Sequence, residues 1–290
     1  MKLCRYNDDR LGVVIGNMVH DITAAQTEIR NSTPYAMMGD PVIAALPQWR
    51  ARMEEMAAKA PGVPIDSVKL LSPVVRPTKT MAAPTNYRAH IAEMEAKRNG
   101  LPSKLGNKIG EAGIFLKANS SIVGPSEGIA IRFPDRRNDH EAELVAIIGT
   151  RGTDISQDKA LSYIAGYCLG LDMTVRGPED RSFRKSVDGY SVLGPWFVTA
   201  DEIENPNDVP LHLFVNDVQK QNANTKDMVY SMERLMEFAS SFYTLHPGDV
   251  YFTGTPEGVG PVHPGDVIRL NSHPALGELR IDVRAHKIQG

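Results

Sequence analysis

Asp139-His140-Glu141-Ala142-Glu143-Leu144-Val145-Ala146-Ile147-Ile148-Gly149 begins with acids and runs into an unbroken apolar stretch. Read as a strand, its side chains alternate, so Glu141 and Glu143 share one face. Beyond them both faces are apolar, which predicts a strand buried on both sides. Two carboxylates side by side there repel each other and lose hydration, a costly arrangement unless a cation joins them. Hard oxygen ligands of this kind suit Mg²⁺, Mn²⁺ or Ca²⁺. The plainer alternative places both glutamates at an exposed strand start, paired with nearby arginines.

Working outward, the segments on either side are also rich in strands bounded by glycine and proline. Candidates are Ile114–Lys117, Trp196–Thr199, His212–Val215, Val250–Thr253, Val267–Leu270 and Gly277–Val283. Two helices are expected among them. Ser156 caps one running through Ala160, Ile164 and Tyr167, and a second runs from Ser231 through Leu235, Phe238 and Phe242 to the stop at Pro247-Gly248. Residues 1–33 read as short strands and turns, with Gly16-Asn17 as a two-residue hairpin loop. Residues 41–60 carry Val42, Leu46, Trp49, Met53, Met56 and Ala57 near helical spacing. A boundary is expected near residue 72, with a small N-terminal domain over 1–72 and the main domain over 73–290. Residues 95–112 are charged and glycine-rich and read as a mobile segment of the kind that forms lids.

Composition narrows the function classes. The 290 residues are 42% hydrophobic and 23% charged, with a formal net charge of -3, as in ordinary globular enzymes. No basic stripe argues for nucleic acid. No apolar run reaches the roughly 18 to 20 residues of a membrane span. The N-terminus turns polar within a few residues, unlike a signal peptide. Two cysteines, Cys4 and Cys168, fit no metal pattern and read as free thiols in a reducing cytoplasm.

Four further constellations carry candidate chemistry. Asp172 follows an apolar stretch and is either a third carboxylate ligand or a turn residue. His90 and Glu93 are three apart, so on a helix the carboxylate orients the imidazole as a general base; a surface ion pair is the alternative. Ser182 to Lys185 spells S-x-x-K, but its β-lactamase partner motifs are missing. Lys185 is left as a point charge for a substrate carboxylate, or as an ordinary solvated lysine. Thr253-Gly254-Thr255-Pro256-Glu257-Gly258-Val259-Gly260 forms a tight turn whose backbone N–H groups either bind an anion or serve structure alone.

Taken in order, these motifs resemble the fumarylacetoacetate hydrolase family. The series is NYRAH at 86–90 with Glu93, FLKANSSIVGP at 115–125, DHEAEL at 139–144 and YIAGYCLGLDMT at 163–174. Arg184-Lys185-Ser186 with Asp188, LGPW at 193–196 and the glycine-rich segment 248–260 complete it. The resemblance covers about residues 75–285. It implies a mixed α/β, predominantly β fold, with a β-roll catalytic domain behind the small N-terminal one. It also implies metal ligation by Glu141, Glu143 and Asp172, with Mg²⁺ usual and Mn²⁺ or Ca²⁺ alternatives. By the same resemblance His90 and Glu93 are the catalytic pair, in a segment that orders over substrate. Lys185 stands near the reacting keto acid, Thr255 on its carboxylate and Arg176 in its pocket. Glu179 stands where many relatives carry glutamine, a departure that affects the pocket's hydrogen bonding.

The resemblance implies a small-molecule 2-oxo acid substrate and a homodimer, while composition and hydropathy lead us to expect no nucleic acid or membrane partner. The favoured reaction is hydrolysis of a C–C bond in a 2,4-dioxo acid. Decarboxylation or tautomerisation at the same site is the first alternative, and a non-catalytic metabolite-binding relative is the second.

Overall fold

A computed structural model describes residues 1–32, 38–97 and 109–287. The acidic-apolar stretch folds as expected into a strand, Ala142–Ile148, with every residue buried. It pairs antiparallel with Ile164–Asp172 on one side and Val250–Phe252 on the other, near the middle of a twelve-stranded sheet. The chain is mixed α/β and mostly strand. A five-stranded sheet (Val218–Asn224, Pro210–Val215, Val267–Asn271, Glu278–Ala285 and Ile129–Ile131) and a three-stranded one complete it.

The segment after Ser156 corrects the helical expectation. A 3₁₀ helix covers only Gln157–Tyr163, and Ile164–Asp172 is a nine-residue strand. A strand covered on both faces has no alternation, so its apolar spacing imitates a helix. Its glycines show the difference. A Cβ on Gly166 would lie 1.9 Å from the Val198 carbonyl oxygen, and one on Gly170 would lie 2.5 Å from Val145 Cγ2. Both are positions where neighbouring strands approach too closely for a side chain.

At the N-terminus, Arg10–Ile15 and Met18–Asp21 form the expected hairpin, with Gly16 at φ 58° in its turn. A helix at Thr23–Ser32 was not expected among the strands and turns of residues 1–33. Lys2–Tyr6 pairs with Ser191–Thr199, so the N-terminal strands continue the large sheet. Leu3, Ile43 and Met53 share one apolar cluster with Val145, Phe197 and Phe252.

The helix Pro41–Lys59 is tied to this sheet by Asp40. Its fully buried carboxylate accepts the Val42 and Ile43 N–H groups at 2.9 and 3.3 Å and the Val75 N–H at 3.2 Å. It also faces the buried Arg5 guanidinium at 3.6 Å. One side chain therefore caps the helix, holds the 72–77 connection and balances a buried cation. Asp40→Ala is expected to lower unfolding free energy by about 3 to 5 kcal/mol, because the helix loses its cap and the buried Arg5 keeps as charged partner only the exposed Asp9 at 3.5 Å. Urea denaturation checks this, and a variant as stable as the parent would contradict it.

Candidate metal centre and active site

Two strand ends build the site. Glu141 precedes the strand Ala142–Ile148, and Asp172 ends its neighbour. The Asp172 N–H donates to the Glu141 carbonyl oxygen at 2.9 Å, and Glu143 pairs across the ladder with Gly170. This register brings carboxylate oxygens of Glu141, Glu143 and Asp172 within 4.8 Å of one another, all buried.

Cations surround them. Lys185 Nζ donates to Glu141 Oε2 at 2.7 Å and to Asp172 Oδ2 at 2.5 Å. Lys117 Nζ donates to Asp172 Oδ1 and, at 3.0 Å, to the Tyr190 carbonyl oxygen. Arg176 spans Asp139 Oδ2 at 2.7 Å and Glu141 Oε1 at 3.1 Å. Glu143 differs from its neighbours. It accepts the Gly254 N–H at 2.7 Å and, among the described residues, has no ion-pair partner.

The acidities follow this arrangement. Burial pushes Glu141 up, but Lys185 and then Arg176 outweigh it and hold its carboxyl at about 2. Burial, then the neighbouring Asp172, pushes Glu143 well above the usual carboxylate range. A buried carboxylate that faces two others with no cation of its own fits a divalent ion. The cations are shared unevenly: Lys117 and Lys185 pair with Asp172 and Glu141, and Arg137 and Arg176 hold Asp139, so none of them reaches Glu143.

His90 and Glu93 lie on the helix Arg88–Lys97, with Nδ1 3.4 Å from Glu93 Oε2. Asn86, just before that helix, fixes its approach. Its side-chain amide donates to the Thr253 and Tyr230 carbonyls at 2.9 and 3.1 Å, and its Oδ1 accepts the Tyr230 N–H. It also packs over Gly254, at φ 101°, where a Cβ would meet Asn86 Cβ at 2.7 Å. The glycine-rich turn thus serves two needs at once, delivering an N–H to Glu143 and seating the start of the His90 helix.

Thr255 sits beside the carboxylates, its hydroxyl donating to the Ala142 carbonyl and accepting from Gln221 Nε2. Glu179 lies apart. It is exposed, and Arg136 holds both of its carboxylate oxygens at 3.0 and 2.7 Å. Of the lid expected within 90–112, residues 98–108 lie outside the described residues.

Lys117, Gln221 and Asn86 were given no role in the sequence reading. Lys117 had a usable signal. In Phe115-Leu116-Lys117 the outer two residues are buried and the middle one exposed, so alternation puts the lysine on the core face. A lysine there needs a carboxylate. Gln221, in the polar stretch Val218–Asn224, offers no such pattern. Its amide accepts the Ala142 N–H and donates to Thr255 Oγ1 and the Pro256 carbonyl, tying the turn to the ligand-bearing strand.

Residues 79–284 match the family model described as fumarylacetoacetate (FAA) hydrolase C-terminal. Over 289 residues, 98% of this chain and 100% of the relative, the sequence is 50% identical to a maleylpyruvate hydrolase of Aquipseudomonas alcaligenes. The crystal structure of maleylpyruvate hydrolase from Sphingobium sp. SYK-6 with manganese(II) and pyruvate superposes at a TM-score of 0.84. It is 36% identical and covers 99% of this chain and 100% of its own. A 2-hydroxyhepta-2,4-diene-1,7-dioate isomerase from Mycobacterium marinum superposes at 0.71 with 26% identity, over 99% of this chain and 100% of its own. The chain belongs to the fumarylacetoacetate hydrolase family.

Proposed function

We propose that this chain is a divalent-metal-dependent hydrolase that cleaves a C–C bond in a 2,4-dioxo acid, with maleylpyruvate or a close acylpyruvate as substrate. The observation that carries the reading is the buried convergence of Glu141, Glu143 and Asp172 beside Lys185. Half-identity to a maleylpyruvate hydrolase over nearly the whole chain supports the substrate class. In this reading the three carboxylates hold Mg²⁺, or Mn²⁺ or Ca²⁺ in its place. When bound, the cation supplies Lewis-acid stabilisation for the negative charge that develops on the pyruvate half of the substrate.

The chain's own residues do the rest. His90, oriented by Glu93, takes a proton from water as its oxygen bonds to C4 of the substrate. The C3–C4 bond then breaks. Its electron pair stays with the pyruvate fragment, and the proton held on His90 passes to C3. The products are a carboxylic acid and pyruvate. Lys185, fixed by Glu141 and Asp172, places a permanent positive charge beside the growing enolate. Arg176 and Thr255 are assigned to the carboxylate of the 2-oxo acid end, Arg176 through the terminal nitrogen that Asp139 and Glu141 leave free and Thr255 through its backbone N–H, since its hydroxyl donates to the Ala142 carbonyl. Glu179 is held by Arg136, so a part for it in substrate binding requires that exposed ion pair to open. The reading also carries a homodimeric, cytoplasmic enzyme, and both cysteines are free and buried, as suits a reducing compartment.

Two outcomes test it. Maleylpyruvate incubated with the protein and Mg²⁺ should yield maleate and pyruvate in equal amounts, and a chelator should stop the reaction. Turnover of oxaloacetate or a hydroxymuconate-type dienol without any acylpyruvate hydrolysis would favour decarboxylation or tautomerisation instead. Turnover of none of them would leave a metabolite-binding protein. His90→Ala should lower kcat by about 10²- to 10⁴-fold with KM changed much less. Hydrolysis at the parent rate in that variant would remove His90 from the mechanism.

A further inference from the structure

The short helix Arg181–Lys185 carries a second cation to which the mechanism gives no role. Lys185 faces the carboxylates, and Arg181, four residues earlier, shares that face. Both lie over the ring of Phe115, the Arg181 guanidinium carbon and Lys185 Nζ each 5.5 Å from its centroid. The two cations are therefore no more than twice that distance apart, one turn from each other along the same wall. The remaining cations nearby are engaged. Arg176 holds Asp139 and Glu141, Lys117 holds Asp172, Arg136 holds Glu179, and Arg184 Nε donates to the Glu179 carbonyl at 2.9 Å.

Arg181 has neither an ion pair nor a hydrogen bond among the described residues; its contact is the aromatic face. Burial, with Arg184 alongside, pushes its pKa down, while Glu141 and Asp172 act on it from a distance in the opposite sense. A largely desolvated guanidinium without an anion is costly to maintain. Its planar fork matches a carboxylate in a way that a lysine does not.

We propose that Arg181 binds the distal carboxylate of the substrate and so selects dicarboxylic 2-oxo acids over monocarboxylic ones of the same length. This rests on the reading above, which puts the 2-oxo acid end at Glu141, Glu143 and Asp172. A substrate anchored there extends along the Phe115 wall toward Arg181. Maleylpyruvate carries a carboxylate at its far end, and acetylpyruvate carries none. The guanidinium thus acts as a specificity group and takes no part in bond breaking.

A matched pair of unreactive ligands tests it by calorimetry on the Mn²⁺-loaded full chain. 2-Oxoheptanedioate has the carbon count of maleylpyruvate and both carboxylates; 2-oxoheptanoate lacks the distal one. Neither has the 4-oxo group needed for cleavage. The parent should bind the dioate about 10- to 100-fold more tightly than the monoacid. Arg181→Ala should abolish that preference while keeping the monoacid affinity, which also reports that the variant is folded. Arg181→Lys should keep a reduced preference. A parent without preference, or one that binds neither acid, overturns the proposal, and so does a preference that survives in Arg181→Ala. If Arg181→Ala binds neither ligand, Arg181→Lys decides: a full preference there overturns the proposal and a diminished one upholds it. Maleylpyruvate hydrolysis, measured in parallel on the parent, reports on the hydrolase reading alone, because it requires bond cleavage whatever group holds the distal carboxylate.

Discussion

Three carboxylates held within 4.8 Å of one another in the protein interior are the constraint on which the rest of this structure depends. Each loses hydration and each repels the other two, at several kcal/mol per uncompensated charge. The fold answers with ammonium groups from two separate elements. Lys117 arrives on the strand Phe115–Lys117 and Lys185 on the helix Arg181–Lys185, and both are buried. Arg176 then spans Glu141 and Asp139. Glu143 is left with a backbone N–H alone, and it is the group that a divalent ion relieves most directly.

The large sheet makes this cluster rigid. The Ala142–Ile148 ladder fixes Glu143 opposite Gly170, and the Asp172 N–H bond to Glu141 fixes the other two. Neighbouring strands crowd the same region closely enough to exclude a Cβ at Gly166 and Gly170. On the other side, Gln221 and Asn86 bind the glycine-rich turn to the ligand strand and to the His90 helix. Positions set by backbone pairing change little with side-chain motion, which is what electrostatic preorganisation requires.

Much of this was legible in the sequence, for identifiable reasons. The glutamate pair stood out because acids at spacing two ran into an apolar strand. The helix Pro41–Lys59 stood out because its apolar residues recur at helical spacing. The strand Ile164–Asp172 was hidden because burial on both faces erases the alternation that marks strands. Lys117 was legible in principle, from alternation in Phe115-Leu116-Lys117. Gln221 was not, since a glutamine in a polar strand carries no sign of its long-range partners. Glu179 shows the opposite limit: a position in a motif did not reveal that Arg136, forty-three residues earlier in sequence, holds its carboxylate.

Everything in this reading turns on Glu141, Glu143 and Asp172 forming one divalent-metal site. Equilibrium Mn²⁺ binding, counted by electron paramagnetic resonance of the free ion, tests it most directly on the parent and on Glu143→Gln. The substitution keeps the shape and removes only the charge. One ion per chain is expected in the parent, and loss of that ion in a folded variant. Equal Mn²⁺ binding by the two proteins would contradict it.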